Sequence, residues 1–264
     1  MISCGKGHKI TTVIIILLCT LLPAADAQAK EPSLPPHLIR TVSDQDIYEG
    51  LAALELLQCP VLEKEDMETA RENVENCVVR VIMGRAYGSG VIYAMTADAV
   101  IIATNRHVLE YWEDAEGVVW FPQGQFMSAR YLGSAENCDV GFLKVENSEF
   151  AAESLRALRH VAVDEESGAG PERGTAVFCL GAAPAVEEML YQEAVVEEAV
   201  RYIADFDAYM LYGRGFAREG MSGCGIFDGC GYLVGLLAGG TDRNEIAGVP
   251  AKDVAVAYRE IVGE

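Results

Sequence analysis

Residues 219–231 read Glu-Gly-Met-Ser-Gly-Cys-Gly-Ile-Phe-Asp-Gly-Cys-Gly, and they place Ser222 between Gly220 and Gly223. Glycine tolerates the tight bends that turn successive backbone N–H groups toward one small space. Such amides can stabilise a developing oxyanion while the neighbouring hydroxyl attacks a carbonyl carbon. The same pattern occurs in ordinary turns, so its interpretation depends on whether the chain also supplies a base and a carboxylate.

Two upstream motifs supply these groups at the ends of predicted strands. His107 follows the apolar run 100–104, and Asp139 precedes the strand-like run 140–145. Ser222 can attack a carbonyl, His107 can take its proton, and Asp139 can orient the imidazole. The three residues therefore form a candidate triad for acyl transfer.

Short apolar segments separated by turn residues predict an all-β fold. One series lies within about 77–146 and a second within about 172–248, and six or so short strands in series favour a closed or nearly closed sheet. Helical spacing of apolar residues predicts an N-terminal helical segment before residue 77 and a C-terminal helix over 250–262. A site between two such halves suits an extended peptide.

The first 27 residues have the pattern of a secretory signal. Lys6 and Lys9 precede the apolar run 10–22, and small residues recur at alternate positions after it. This run is shorter than the roughly 20 apolar residues of a membrane-spanning helix. An uncleaved N-terminal anchor that tethers the protein to a membrane is the alternative. The sequence thus predicts a secreted or otherwise extracytoplasmic protein, with a Pro-rich leader and helical segment over 28–76.

Charge and cysteine content narrow the classes of function. A net charge of −20 argues against phosphate-mediated nucleic-acid binding, which needs clustered Lys and Arg. No Cys-x-x-Cys or His-x-x-x-His spacing occurs, so no structural zinc site is expected. No metal and no cofactor is predicted. An even number of cysteines beyond an export signal favours disulfides, with fifteen possible connectivities. These cysteines are Cys59, Cys77, Cys138, Cys179, Cys224 and Cys230.

The three motifs resemble the catalytic blocks of trypsin-like serine proteases, which have the chymotrypsin fold. The blocks are residues 103–108, 138–145 and 220–227, and they occur in that family's order of His, Asp and Ser. The Thr-Asn-x-His-Val motif and the closing Val-Pro-Ala helix most resemble bacterial Deg-type proteases, here without a PDZ domain. The resemblance covers about residues 78–261, so the protease domain is placed at 77–264.

This resemblance implies two six-stranded antiparallel β-barrels with the active site between them. It places the oxyanion hole at the backbone N–H groups of Gly220 and Ser222. Residue 238 is an alanine where the family often has a serine that helps bind the catalytic aspartate. The substrate is expected to contact Phe216, Ala238, Gly239 and Gly240.

The resemblance also bears on the cysteines. Related proteases have a bridge toward the serine hairpin near Cys179, which implies a pairing of Cys179 with Cys224 or Cys230. A bridge between Cys59 and Cys77 would fasten the helical segment to the protease domain.

The predicted function is that of an exported serine endopeptidase that hydrolyses polypeptides through an acyl-enzyme. The alternative is a non-catalytic binding protein on the same scaffold, with the cleft or the helical segment as the docking surface. An esterase of the α/β-hydrolase type is disfavoured because it would place the serine before the histidine, in a Gly-x-Ser-x-Gly motif. The sequence leaves the natural substrate and the oligomeric state open.

Overall fold

The computed structural model describes residues 50–51, 57–110, 112, 117–164, 170–182 and 189–263. All of them belong to one compact unit of the chain, Val42–Glu264. The predicted signal segment and Pro-rich leader lie outside the described residues.

Strands account for most of the described secondary structure. The first-half strands are β1 (Val78–Met83), β2 (Ala86–Met95), β3 (Ala99–Thr104), β4 (Val118–Trp120), β5 (Phe126–Ser128), β6 (Arg130–Ser134) and β7 (Gly141–Glu146). The second-half strands are β8 (Ala176–Ala182), β9 (Met189–Ile203), β10 (Ala208–Gly215), β11 (Gly225–Asp228), β12 (Leu233–Gly240) and β13 (Glu245–Pro250). The α-helices whose bounds the structure describes are α1 (Met67–Val74), α2 (Ala152–Ala157) and α3 (Ala251–Ile261).

The first half is a seven-stranded antiparallel sheet that forms a half-barrel, with the strand order β5–β4–β1–β2–β3–β7–β6. All six residues of β3 are buried, which explains why its run Ala-Val-Ile-Ile-Ala-Thr lacks the polar alternation of a strand with one solvated face. At its C-terminal end, β3 positions the loop that carries His107.

The second half is a closed six-stranded barrel with the order β10–β13–β12–β11–β8–β9. β8 joins the two halves, because it pairs with β11 inside the barrel and also contacts β1 and β2. Phe178 of β8 stacks on Phe227 of β11 with ring centroids 5.5 Å apart. The predicted two-barrel, chymotrypsin-like fold is therefore confirmed, with the first barrel present as a half-barrel sheet.

The C-terminal helix α3 packs back onto the first half of the molecule. Its Tyr258 ring lies 4.9 Å from the ring of Tyr93 in β2 and 5.7 Å from that of Phe142 in β7. Val254 and Ala257 are buried on the same face of the helix. Because α3 follows directly from β13, this helix fastens the closed barrel to the first sheet.

Helix α1 lies against the second barrel, although it precedes the first sheet in the chain. Asp66 caps the helix by accepting a hydrogen bond from the Thr69 N–H at 3.1 Å. The Asp66 N–H in turn donates to the Gly229 carbonyl in the β11–β12 turn. Ala70 and Val74 are fully buried, and the Arg71 guanidinium lies over the Tyr191 ring of β9. Helix α1 is thus packed into the folded unit.

Within the described part of the chain, no helix has the length and hydrophobicity needed to cross a membrane.

Candidate active site

His107 and Asp139 meet where two loops leave the first sheet. His107 begins a short 3-10 turn, His107–Leu109, just after β3, and Asp139 lies just before β7. The Asp139 Oδ2 atom is 2.7 Å from the His107 Nδ1 atom, and Oδ1 accepts the His107 backbone N–H at 3.0 Å. The Asp139 side chain is 12% exposed and that of His107 44%, so a shielded carboxylate orients an accessible imidazole. With Nδ1 facing the carboxylate, Nε2 is left for a substrate or a nucleophile.

Two neighbours of His107 hold the loop that carries Asp139. The side-chain amide of Asn105 donates to the Asp139 backbone carbonyl at 2.9 Å, and Asn105 is fully buried. Arg106 donates to the carbonyls of Ala135 and Glu136 at 2.9 and 3.1 Å. Sequence reasoning assigned no role to Asn105 and Arg106, because their partners lie about thirty residues further along the chain.

The nucleophile loop, residues 218–223, connects β10 to β11. Gly220 and Gly223 have φ angles of +89° and +86°, which a residue with a side chain rarely adopts. Between them, the Met221 side chain is fully buried and its N–H donates to the Arg218 carbonyl at 3.1 Å. The buried Met221 side chain therefore anchors the loop at its centre.

The amides predicted to form the oxyanion hole are available. Among the described residues, the N–H groups of Gly220 and Ser222 donate to no other protein group. The Ser222 hydroxyl lies 3.5 Å from the Ala238 carbonyl oxygen, at the long limit of a hydrogen bond. It makes no hydrogen bond to His107 within the described part of the chain. Such bonds are often long in the absence of substrate and tighten when the substrate binds.

The segments that carry Ser222 and His107 approach each other across Gly88 of β2. A Cβ atom at Gly88 would lie 2.8 Å from the Val108 side chain and 3.1 Å from the Ser222 carbonyl oxygen. Val108 directly follows His107 in the chain. The fold therefore brings the serine loop to the same end of β2 as the His107 loop.

The residues predicted to bind substrate line the end of β12. A Cβ atom at Gly240 would lie 2.6 Å from that of Ala217, so the strand nearly touches the residue that precedes the nucleophile loop. At Gly239 a Cβ would lie 3.2 Å from the Phe206 ring, which comes from the turn between β9 and β10. Phe216 is 43% exposed. Sequence reasoning missed Phe206, because nothing near it in the chain indicates that its hairpin reaches β12.

The structure brings two pairs of predicted cysteine partners together as reduced thiols. The Cys224 thiol lies beside that of Cys179, and the Cys77 thiol lies beside that of Cys59 and donates to the Val74 carbonyl at 3.0 Å. Burial is the main reason that the pKa values of Cys224 and Cys77 lie well above the usual thiol range.

Among the described residues, no group of three or more His, Cys, Asp or Glu side chains is arranged to hold a metal ion.

Comparisons with known proteins support the family and the fold. The family model described as the trypsin-like peptidase domain matches residues 88–236, which include all three members of the predicted triad. No curated protein sequence matches the chain. One similar solved structure is that of Rv3671c from M. tuberculosis H37Rv, a serine-to-alanine mutant in its inactive form. The two structures superpose with a TM-score of 0.57 at 17% identity, over 78% of this chain and 97% of that one. This likeness supports the fold.

Proposed function

Because the chain belongs to the trypsin-like peptidase domain family, we propose that it is a serine endopeptidase that cleaves polypeptides through an acyl-enzyme. The observation that carries the proposal is the two-point contact of Asp139 with His107, at 2.7 and 3.0 Å. A carboxylate held in this way favours the imidazole tautomer that accepts a proton at Nε2. The non-catalytic binding protein remains the alternative.

In the first half of the reaction, the Ser222 hydroxyl oxygen attacks the carbonyl carbon of the scissile peptide bond. His107 takes the hydroxyl proton at Nε2, and Asp139 stabilises the resulting imidazolium. The tetrahedral intermediate then collapses: the C–N bond breaks, and His107 returns the proton to the departing amine. The acyl group stays on Ser222 as an ester.

In the second half, water replaces the amine. The water oxygen attacks the ester carbonyl carbon while His107 takes a proton from the water. The proton then returns to the Ser222 oxygen when the C–O bond to the enzyme breaks. Both tetrahedral intermediates carry negative charge on the former carbonyl oxygen. The free N–H groups of Gly220 and Ser222 are the proposed donors to that oxygen, and each such donor commonly contributes about 10²- to 10³-fold in kcat.

The substrate is a polypeptide in extended conformation. Its backbone pairs with the end of β12 at Ala238, Gly239 and Gly240, and its side chain next to the cleaved bond enters the space beside Phe216. A Deg-type subgroup remains a prediction from the sequence motifs.

The proposal includes export through the N-terminal signal segment. An oxidising compartment would convert the adjacent thiols of Cys179 and Cys224, and of Cys59 and Cys77, into disulfides. N-terminal sequencing of the processed protein tests the export, and a peptide map under non-reducing conditions tests the two bridges. A mature protein that retains the first 27 residues, or a map that pairs these cysteines otherwise, would contradict this part of the proposal.

Fluorophosphonate labelling tests the catalytic proposal, because the reagent modifies only an activated serine. We expect wild-type protein and the exposed-serine control Ser128→Ala to be labelled, and Ser222→Ala and His107→Ala to lose labelling. Circular dichroism establishes that each variant is folded. Undiminished labelling of Ser222→Ala would remove the serine assignment, and a folded wild-type protein without labelling would favour the binding-protein alternative.

A further inference from the structure

We propose that Ser89 of β2 is a positioning residue that holds the oxyanion hole in its working shape. The inference rests on the proposed protease function for its catalytic consequence, but its structural part stands on contacts that are independent of activity. Ser89 lies in the first sheet, whereas the hole belongs to the second barrel.

Ser89 contacts both residues that are proposed to supply the hole. Its hydroxyl donates to the Gly220 carbonyl oxygen at 2.7 Å, and its backbone N–H donates to the Ser222 carbonyl oxygen at 2.8 Å. Ser89 is fully buried, so water does not compete for these bonds. A single residue of the first sheet thus binds the nucleophile loop at two points.

These two bonds restrict where the hole amides point. Peptide units are planar, so φ and ψ are the only soft rotations between the N–H and the carbonyl of one residue. Fixing the carbonyl oxygens of Gly220 and Ser222 therefore limits the directions that their N–H groups can take. Gly220 needs this support more than most residues, because glycine alone has no side chain to restrict its backbone. Its φ of +89° is one of several values open to it.

Close packing against the first sheet also restricts the nucleophile loop. The Tyr87 ring occupies the space where a side chain at Gly220 would project. The Ser89 carbonyl oxygen and the Thr104 hydroxyl similarly fill the space beside Gly223. Residues of the first sheet thus leave no room for a side chain at either glycine of the loop.

Ser89 also connects the hole to the strand that positions the catalytic base. The Thr104 hydroxyl donates to the Ser89 carbonyl at 2.6 Å, and Thr104 is the last residue of β3 before the His107 loop. Ser89 is therefore bonded to β3 on one side and to the nucleophile loop on the other. This arrangement couples the position of the base to that of the oxyanion donors.

The available space favours serine at this position. A Cβ atom at Gly181 of β8 would lie 2.7 Å from the Ser89 hydroxyl oxygen and 2.8 Å from the Cys224 Cβ atom. Gly181 therefore leaves room for a small hydroxyl side chain and little more. Alanine at position 89 fits the same space but leaves the buried Gly220 carbonyl without this donor.

The test compares Ser89→Ala with Thr96→Val, which removes a hydroxyl from the turn at the other end of β2. With casein as substrate, we expect Ser89→Ala to lower kcat by about 10- to 100-fold with little change in KM, because the hole acts mainly in the transition state. The rate of fluorophosphonate labelling should fall in parallel, since the phosphoryl oxygen occupies the hole. Thr96→Val should keep wild-type kcat. Equal kcat and labelling rates in wild type and Ser89→Ala would overturn the inference.

Amide hydrogen exchange separates this inference from the proposed function. We expect residues 218–223 to exchange faster in Ser89→Ala than in wild type or Thr96→Val, whether or not the protein cleaves casein. Unchanged exchange in this loop would overturn the positioning role even in an active protease. Faster exchange in a protein that never labels would support the positioning role and count against the proposed activity alone.

Discussion

Asp139 contacts His107 through both of its carboxylate oxygens, at 2.7 Å from the imidazole Nδ1 and 3.0 Å from the backbone nitrogen. The position where relatives often add a serine hydroxyl is Ala238 in this chain. The carboxylate is nevertheless held at both oxygens, because the His107 main chain provides the second donor. Asn105 adds a bond to the Asp139 main chain at 2.9 Å.

Asp139→Asn should lower kcat by about 10³- to 10⁴-fold while the protein remains folded. The asparagine amide can still accept the His107 backbone N–H, but its NH₂ group favours the tautomer that carries no proton on Nδ1. The imidazole would then present a protonated Nε2 to Ser222 and could not act as a base. Steady-state kinetics on casein measure the effect, with Glu136→Gln on the same loop as the control. A kcat within about tenfold of wild type would contradict the assigned role of Asp139.

Gly240→Ala should weaken substrate binding. The added Cβ would lie 2.6 Å from the Ala217 Cβ and 2.9 Å from the Glu245 carbonyl oxygen. The end of β12 or these neighbouring residues must therefore shift. We expect KM to rise on the order of tenfold, equivalent to about 1.4 kcal/mol of lost binding. The double variant Gly240→Ala/Ala217→Gly should recover part of the loss because it restores space. An unchanged KM in the single variant would argue that substrate does not use this strand.

Alkylation of the reduced, folded protein should be slow at Cys224, Cys77 and Cys138. Burial raises the pKa of all three thiols, to about 11 for Cys138, so little reactive thiolate is present at neutral pH. For Cys138, the thiolate fraction and the iodoacetamide rate should increase as pH rises toward this pKa. The unfolded protein in guanidinium chloride provides the control, with fast labelling of every cysteine. Equal rates for Cys224 in the folded and unfolded states would contradict its buried position.

Val74→Ala should destabilise the folded domain by about 1–3 kcal/mol, because it removes two buried methyl groups and leaves a cavity. Glu72→Ala on the exposed side of the same helix is the matched control. Urea denaturation of the two variants measures the difference in free energy of unfolding. Equal stabilities would show that α1 does not contribute to the folded domain. The kcat of Val74→Ala should match wild type below the unfolding transition, because α1 lies outside the site.

The sequence predicted the fold class because its signals are local. Buried strands such as β3 are continuous apolar runs, and turn residues separate them at short intervals. The sequence predicted six or so strands in the first half, whereas the sheet there has seven. Strands β4 and β5 have three residues each, and segments this short carry little periodic signal from which to count strands. The packing of α1 on the second barrel had no signal in the sequence, since its partners follow it by more than a hundred residues.

The sequence by itself determined the order His107, Asp139, Ser222 and the glycines around the serine. These features depend on neighbouring residues, so they can be identified without knowing how the chain folds. Only the tertiary structure decided that Asp139 meets His107, that Phe206 reaches Gly239, and that Cys179 lies beside Cys224.

The same holds for the contact between Ser89 and Gly220, which are 131 residues apart in the chain. Position 89 reads as an ordinary serine between two glycines, and its partner belongs to the other half of the molecule. Hydrogen bonds of this kind depend on how the first sheet and the second barrel pack against each other. The chemical identity of the candidate site is therefore local in the sequence, whereas the alignment of its donors is a property of the packed fold.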